Sequence, residues 1–400
     1  MRVLFLHRSF PAQFRYLAAQ LALQPMNQVA FLTNREGGIL PGVNKILYTP
    51  SRSANPDTQS HLNAAEGAVL HGQAAYREMA KLKAEGFVPD VICGHSYWGP
   101  TLFAKDLFPH VPLLAYFEWF YKAEESDSEQ VKMAVRTKNV PILWDLASCD
   151  QGLTPTTWQG SRFPTEYRDK IQVIRDGVDH SFFCPRPGHR LLLPRIGLDL
   201  SDVDEVVTYV SRSLEPLRGF PQFMQAAALI QKARPRCHVV VTGMEQSVYE
   251  RAPAEGKTYK QILLETVELD RSRIHFTGWL SLPEYREVLQ ASTLHVYLTK
   301  PYILSWSLLE ALACGCLTVA SDSEPVREVI RDGENGLLVD MNAPGEIAAA
   351  VADVLSRKTE FGFIREKARQ TICENYDLDQ QTGRQIELLR AMAARSAQKR

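Results

Sequence analysis

Two successive Rossmann-like α/β domains are the architecture this chain predicts, on three observations. Short aliphatic runs alternate with longer amphipathic stretches, the pattern of parallel α/β structure. The alternation lapses once, in a Pro/Gly-punctuated, loosely patterned stretch from Phe183-Cys184-Pro185 to Asp204, and then resumes. A length of 400 residues suits two cores better than one.

In the first half, β-branched and aliphatic runs predict strands at Arg2–His7, Gln28–Thr33, Asn44–Tyr48, Val91–Cys93, Leu113–Phe117, Gly152–Thr154 and Ile171–Ile174. Apolar residues at helical spacing predict helices at Gln13–Leu23, Leu62–Glu85, Gly99–Leu107 and Glu129–Ala147. Residues 1–183 form the expected first domain and 184–204 the linker. Strands then follow at Glu205–Val210, Arg236–Thr242, Ile274–Phe276, Thr293–Leu298, Leu317–Ala320 and Gly336–Val339. The helices between them are expected near Phe220–Lys232, Lys260–Val267, Leu282–Gln290 and Leu308–Ala313. Residues 205–365 form the second domain, and 366–400 supply helices that return to the first. Ligands in such folds bind at the carboxyl ends of the strands, so a cleft between two facing sheets is the expected site.

Composition narrows the function. Apolar residues make up 45% and charged residues 23%, with a formal charge of −1, which gives no general attraction to nucleic acid. The locally basic end, Arg390 to Arg400, reads as a solvated helix terminus. Seven cysteines without CxxC spacing, among them Cys93, Cys149, Cys237, Cys314, Cys316 and Cys373, argue for a reducing compartment and against structural zinc. The opening Met1–Leu6 is a strand pattern rather than a signal peptide, and no apolar run approaches the ~18 residues of a membrane span. A cytoplasmic protein, at most peripheral to the inner face of a membrane, is expected.

The strand Glu205–Val210 runs into Ser211-Arg212-Ser213-Leu214-Glu215-Pro216-Leu217-Arg218-Gly219, just ahead of a helix. Two arginines at a strand end beside a helix N-terminus suit a diphosphate, because guanidinium forks match phosphate oxygens and free amides add donors. Glu310, early in Leu308-Leu309-Glu310-Ala311-Leu312-Ala313, suits helix-dipole complementation or, at a cleft mouth, acceptance of two ribose hydroxyls. These segments, with Glu328–Val339, resemble in order and spacing the C-terminal domain of the retaining GT-B glycosyltransferases of family 4. Ile174-Arg175-Asp176-Gly177-Val178-Asp179 resembles the segment that closes the family's first domain.

The resemblance implies two Rossmann-like domains facing across a cleft, with a C-terminal helix crossing back, and transfer of a sugar from a nucleotide diphosphate sugar to an acceptor hydroxyl. UDP- or GDP-sugars are the implied donors and a carbohydrate or glycoconjugate the acceptor, in polysaccharide or glycoconjugate biosynthesis, with no metal required. Arg212 and Arg218 would hold the diphosphate and Glu310 the ribose. Backbone around Leu304, Ser305 and Trp306 would approach sugar and phosphates, and the Trp279-Leu280 segment the base. Where the family places a further Glu against the donor sugar, this chain has Tyr302, which can hydrogen-bond but offers no charge. The alternatives left open are a sugar-nucleotide epimerase of the same fold and a catalytically silent binding scaffold.

In the first half, Ser9 and Gln13 stand in the turn His7-Arg8-Ser9-Phe10-Pro11-Ala12-Gln13, where many family members carry a Gly pair near the phosphates. His7 and Arg8 are read as pointing to one cleft edge, His7 as structural or functional, and His95 as a rim contact or a helix cap. Glu118, within Phe117-Glu118-Trp119-Phe120, occupies the family's catalytic-site position at a strand end. It is expected to accept a proton, orient the sugar or stabilise the transition state. Domain closure would bring Glu118 and the Ser9–Gln13 loop onto the donor.

Overall fold

The computed structural model describes all residues except 57, 58, 60, 126, 127, 254, 255 and 398–400, so the last three of the basic terminal residues lie outside the described residues. The chain forms two compact units, Met1–Arg175 with the chain from Asp379 on, and Asp176–Leu378.

The first unit is a seven-stranded sheet. Its spatial order is Val43–Leu47, Gln28–Thr33, Arg2–Leu6, Val91–His95, Leu113–Tyr116, Gln151–Thr154 and Ile171–Val173. All pairings are parallel. The central strands are buried on both faces, as helix-covered parallel strands must be, which is why they read as unbroken aliphatic runs. One face packs Leu4, Leu6 and Ile92 with the helix Asn63–Ala84 through Ala75 and Met79. The other packs Val3, Phe5 and Phe14 with Ile386, Leu389 and Met392 of the terminal helix Leu378–Ala397. Strand order reverses direction of growth between Arg2–Leu6 and Val91–His95, the switch point where ligands of such sheets bind.

The second unit repeats the plan in six parallel strands. Their order is Ile274–Gly278, Cys237–Met244, Glu205–Ser213, Leu294–Tyr297, Thr318–Ser321 and Leu337–Val339. Its switch point lies between Glu205–Ser213 and Leu294–Tyr297. Helix starts follow capping chemistry: Ser281 and Glu284 form a capping box ahead of Leu282–Gln290, and Thr258 and Gln261 do so ahead of Tyr259–Thr266.

Four expectations are corrected. The helix expected over Gly99–Leu107 shrinks to Ala104–Leu107, because Gly99 adopts a φ of +99° and Pro100 follows it. The long helix Glu129–Ala147 divides into Glu129–Lys138 and Val140–Ser148, with Pro141 in the first turn of the second. Asn139 at the break clasps Tyr121, accepting from its N–H at 3.0 Å and donating to its carbonyl at 2.7 Å. The expected linker folds as an antiparallel hairpin, Leu191–Leu193 with Leu198–Leu200, whose leucines pack on Val206, Val240, Leu280 and Val288 of the second unit. Residues 176–183 and 366–378, expected with the first domain and the returning helices respectively, belong to the second unit. Among the described residues, no helix is long and apolar enough to cross a membrane.

A Cβ on Gly99 would lie 1.9 Å from the Ala68 carbonyl oxygen, on a backbone that L-residues avoid. Gly99→Ala should therefore lower the unfolding free energy of the first unit by about 3 kcal/mol or more, measured by urea denaturation.

Candidate active site

In the second unit the donor candidates gather at the switch point. Arg212 is exposed near the end of Glu205–Ser213, and Arg218 ends the short turn Pro216–Arg218 that follows. Gly219 comes next at φ +65°, where a Cβ would meet that of Leu298 at 2.5 Å, so glycine is required directly behind the second arginine. Arg218 is only 5% exposed. Its Nη1 donates to Thr299 Oγ1 at 2.9 Å and to the Ile303 carbonyl at 3.0 Å. Among the described residues no carboxylate pairs with it. Leaving a buried cation without an anion is costly, and such a cation is prepared to receive one.

Tyr249 lies under both arginines, its ring centroid 5.9 Å from Arg212 Cζ and 5.7 Å from Arg218 Cζ. It also meets Tyr302 edge to face at 6.0 Å. The loop carrying Tyr249 is pinned by Glu215, fully buried, whose carboxylate accepts the backbone N–H groups of Val248, Tyr249 and Glu250 at 3.3, 3.1 and 2.9 Å. Sequence reading passed over both residues. Glu215 stood between the two arginines in plain view, but its partners are 33 to 35 residues away.

The loop from Thr299 to Ser305 ties Arg218 to the helix Trp306–Ala313. Ser305 caps that helix, accepting from Ser307 N, while its own N–H donates to Tyr297 Oη at 3.0 Å. Trp306 Nε1 donates to Asp176 Oδ2 at 2.7 Å. Glu310 sits in the middle of this helix rather than at its start, so helix capping is not its role. Its Oε2 accepts the Tyr285 hydroxyl at 2.8 Å. Burial, and then Glu310 itself, push the Tyr285 phenol well above its usual range, so it stays a donor and fixes the carboxylate. Trp279 is 64% exposed at the end of Ile274–Gly278, whereas Leu280 and Leu304 bury their side chains and leave only backbone for a ligand.

In the first unit the structure brings together all five sequence candidates. Gln13 Nε2 donates to Glu118 Oε1 at 3.0 Å, and His95 Nε2 stands 3.6 Å from Glu118 Oε2. His7 and His95 end the two strands at the switch point, and their rings meet edge to face at 4.7 Å. The Ser9 N–H donates to His7 Nδ1 at 2.7 Å. Burial, and then His95, hold the His7 pKa well below its usual value, so His7 is neutral with its proton on Nε2. His95 has the opposite tautomer. Its Nδ1 lies 2.6 Å from the Ser96 carbonyl, which can only accept, so Nδ1 carries hydrogen and does not cap a helix. Its Nε2 thus faces the Glu118 carboxylate. Glu118 keeps 28% of its side chain exposed, and Gln159 Nε2 holds its carbonyl at 2.6 Å. Arg8, by contrast, turns outward, with its guanidinium over Trp98.

A further acid escaped sequence reading. Asp145 is fully buried on Val140–Ser148, and Thr101 Oγ1 donates to it at 2.9 Å. It lies beneath the turn after His95, where Tyr97 adopts a φ of +84°, a conformation costly for an aromatic residue. Burial raises the Asp145 carboxyl to about 6, against the pull of Ser96, Thr101 and His95. Each unit carries a cavity. One of about 410 Å³ lies by Arg190, Glu205 and Arg236, at the opposite end of the second unit's strands, and one of about 590 Å³ by Tyr121, Arg162 and Arg168. Among the described residues no group of three His, Cys, Asp or Glu side chains is placed to hold a metal ion.

Residues 25–183 match the model of the glycosyl transferase family 4 group, and residues 204–357 that of glycosyl transferases group 1. The chain belongs to glycosyltransferase family 4. This family 4 chain is 32% identical over 193 residues to a D-inositol 3-phosphate glycosyltransferase of Mycolicibacterium vanbaalenii, covering 47% of the chain and 41% of the relative. It is 29% identical over 189 residues to an alpha-maltose-1-phosphate synthase of Mycolicibacterium smegmatis, covering 45% of each. The chain thus spans less than half the length of these curated relatives. Two solved structures share its GT-B fold. HepE of Anabaena, in complex with UDP-glucose, has a TM-score of 0.72 at 16% identity, with 98% of this chain and 100% of that one covered. The sucrose-phosphate synthase of Thermosynechococcus elongatus has a TM-score of 0.75 at 17% identity, with 98% and 99% covered.

Asp145 gives a pH prediction. Its folded pKa of about 6 exceeds the ordinary carboxyl value of 3.8, so the folded state binds the proton more tightly. Stability from this group is therefore full below about pH 4 and is lost as pH rises to about 6. Asp145→Asn should remove that loss, gaining about 3 kcal/mol relative to the parent between pH 4 and pH 7 in urea denaturation.

Proposed function

We propose that this protein is a retaining glycosyltransferase that moves a sugar from a nucleotide diphosphate sugar, most simply a UDP-sugar, to an acceptor hydroxyl in glycoconjugate or polysaccharide assembly. The observation that carries the reading is Arg218, a buried cation without an anion, at the switch point beside exposed Arg212. The presence of UDP-glucose in the crystals of HepE supports a uridine donor.

In this reading Arg212 and Arg218 hold the diphosphate, and Glu310, fixed by Tyr285, accepts the ribose hydroxyls. As the bond from anomeric carbon to phosphate breaks, charge develops on the leaving oxygen. The arginines and the amides around Ser305 meet that charge without a metal. They are already oriented, so little reorganisation is needed. Tyr302 stands on Tyr249 where an acid is usual in the family, so the sugar end of the site is read by hydroxyls and not by a carboxylate. The acceptor hydroxyl gives up its proton as it attacks, and the Glu118–His95 pair is the acceptor for it, with Gln13 orienting the carboxylate.

Release of nucleotide diphosphate from a panel of UDP- and GDP-sugars tests the donor assignment. Arg218→Ala and Glu310→Ala should each lower it by about 100-fold or more. Full activity in both variants would remove the site. Donor binding without any release would make the protein a silent binder. Glu118→Gln should reduce kcat by about 100-fold while changing donor Kd less than about 3-fold. Equal losses in both would make Glu118 a binding residue alone.

A further inference from the structure

We infer that the acceptor is a sugar or polyol carrying an anionic group, phosphate or carboxylate, and that Arg8 with Trp98 and Tyr97 forms the subsite that receives it. The inference rests on reading the first unit as the acceptor half, and it adds the chemical class of the acceptor.

Arg8 directly follows His7 at the end of Arg2–Leu6, and Tyr97 and Trp98 follow His95 at the end of Val91–His95. All therefore stand at the switch point of the first sheet, beside the Glu118–His95 pair. The Arg8 guanidinium carbon lies 5.4 Å from the centre of the Trp98 ring. Its backbone is fixed, because its carbonyl accepts both Thr33 Oγ1 at 3.0 Å and the Asn34 N–H at 3.2 Å. Stacking on an indole limits the rotamers of a long side chain while leaving its planar donor edge open.

That edge is unused. Among the described residues, no carboxylate pairs with Arg8 and no acceptor takes a hydrogen bond from its guanidinium, although the side chain is exposed. Other exposed arginines, by contrast, are held by carboxylates, as Arg195 is by Glu284 and Arg327 by Asp322. At the far end of the aromatic surface, Lys138 Nζ lies 5.2 Å from the centre of the Tyr121 ring. His71, whose Nδ1 lies 3.2 Å from Tyr48 Oη, is held neutral by burial and then by the Arg8 charge itself, which bring its pKa to about 4. His71 therefore adds no positive charge beside Arg8.

The walls fit a sugar ring. Tyr97 meets Trp98 edge to face at 4.8 Å and lies 6.1 Å from Tyr121, so a run of aromatic faces continues from the guanidinium. Such faces take the C–H side of a pyranose or cyclitol, and the guanidinium fork takes two oxygens of phosphate or carboxylate. The strained Tyr97 backbone sets that ring out of the strand direction and toward Trp98.

Isothermal titration of the full chain, with and without saturating UDP, tests this with glucose, glucose 6-phosphate, glucuronate and inorganic phosphate. The expected result is that glucose 6-phosphate or glucuronate binds about 10-fold more tightly than glucose. Which of the two leads identifies phosphate or carboxylate as the source. Arg8→Gln should bring both to the level of glucose, Arg8→Lys should recover part of the difference, and UDP affinity should not change. Equal binding of glucose and the anions, no binding of any anion, or a preference that survives Arg8→Gln overturns the proposal. Failure of UDP to bind would instead count against the donor reading, since the titrations without UDP stand by themselves.

Discussion

Arg218 lies in the interior of the second unit, and among the described residues its charge is met by a threonine hydroxyl, a carbonyl oxygen and phenol rings rather than by a carboxylate. The structure around it is organised to tolerate that charge. Gly219 lets the helix behind it approach Leu298, Thr299 and Ile303 supply acceptors, and Glu215 holds Tyr249 beneath it. None of these neutralises the guanidinium. A carboxylate in the same place would bind Arg218 and close the site, so the nearest buried acid, Glu215, is instead occupied by three amides and the Ser213 hydroxyl. A negative ligand is the group that best completes this arrangement.

The first unit handles charge differently. Its acids and imidazoles are grouped so that each proton position is determined by a neighbour. Ser9 fixes the tautomer of His7, Ser96 that of His95, and Gln13 one oxygen of Glu118. Asp145, beneath the strained turn, is buried away from solvent behind Thr101. Backbone strain and a raised carboxyl close to His95 mark this corner as one that the fold maintains at a cost.

Much of this was legible in the sequence, for reasons that are specific. Gln28–Thr33 and Leu282–Gln290 were placed to the residue, because a buried aliphatic run and a Ser-x-x-Glu start are local signals. Arg212 and Arg218 were singled out by their place between a strand and a helix, and Glu310, Ser9, Gln13, His95 and Glu118 chiefly through the family resemblance; the structure places the first-unit residues together after the strands. What stayed hidden depends on distant partners or on a single dihedral angle. Apolar spacing at Gly99–Leu107 gave no sign that Gly99 would turn left-handed against Ala68. The Leu191–Leu200 hairpin looked like linker because each of its strands has three residues, too short for a period to show. Tyr249 and Asp145 lie on a loop and a helix that no motif flagged, and their importance comes from what lies against them.

The two units also differ in how the polypeptide supplies them. The second is continuous from Asp176 to Leu378, whereas the first is interrupted by it and completed only by the final helix. Ile386, Leu389 and Met392 cover Val3, Phe5 and Phe14 on one face of the first sheet. During synthesis that face must wait, bare, while the whole second unit emerges and folds. A ribosome stalled before Asp379 would therefore display a finished second unit and an unfinished sheet with an adhesive aliphatic surface. The codons for Leu378–Ala397 thus shield the strand Arg2–Leu6 from its surroundings.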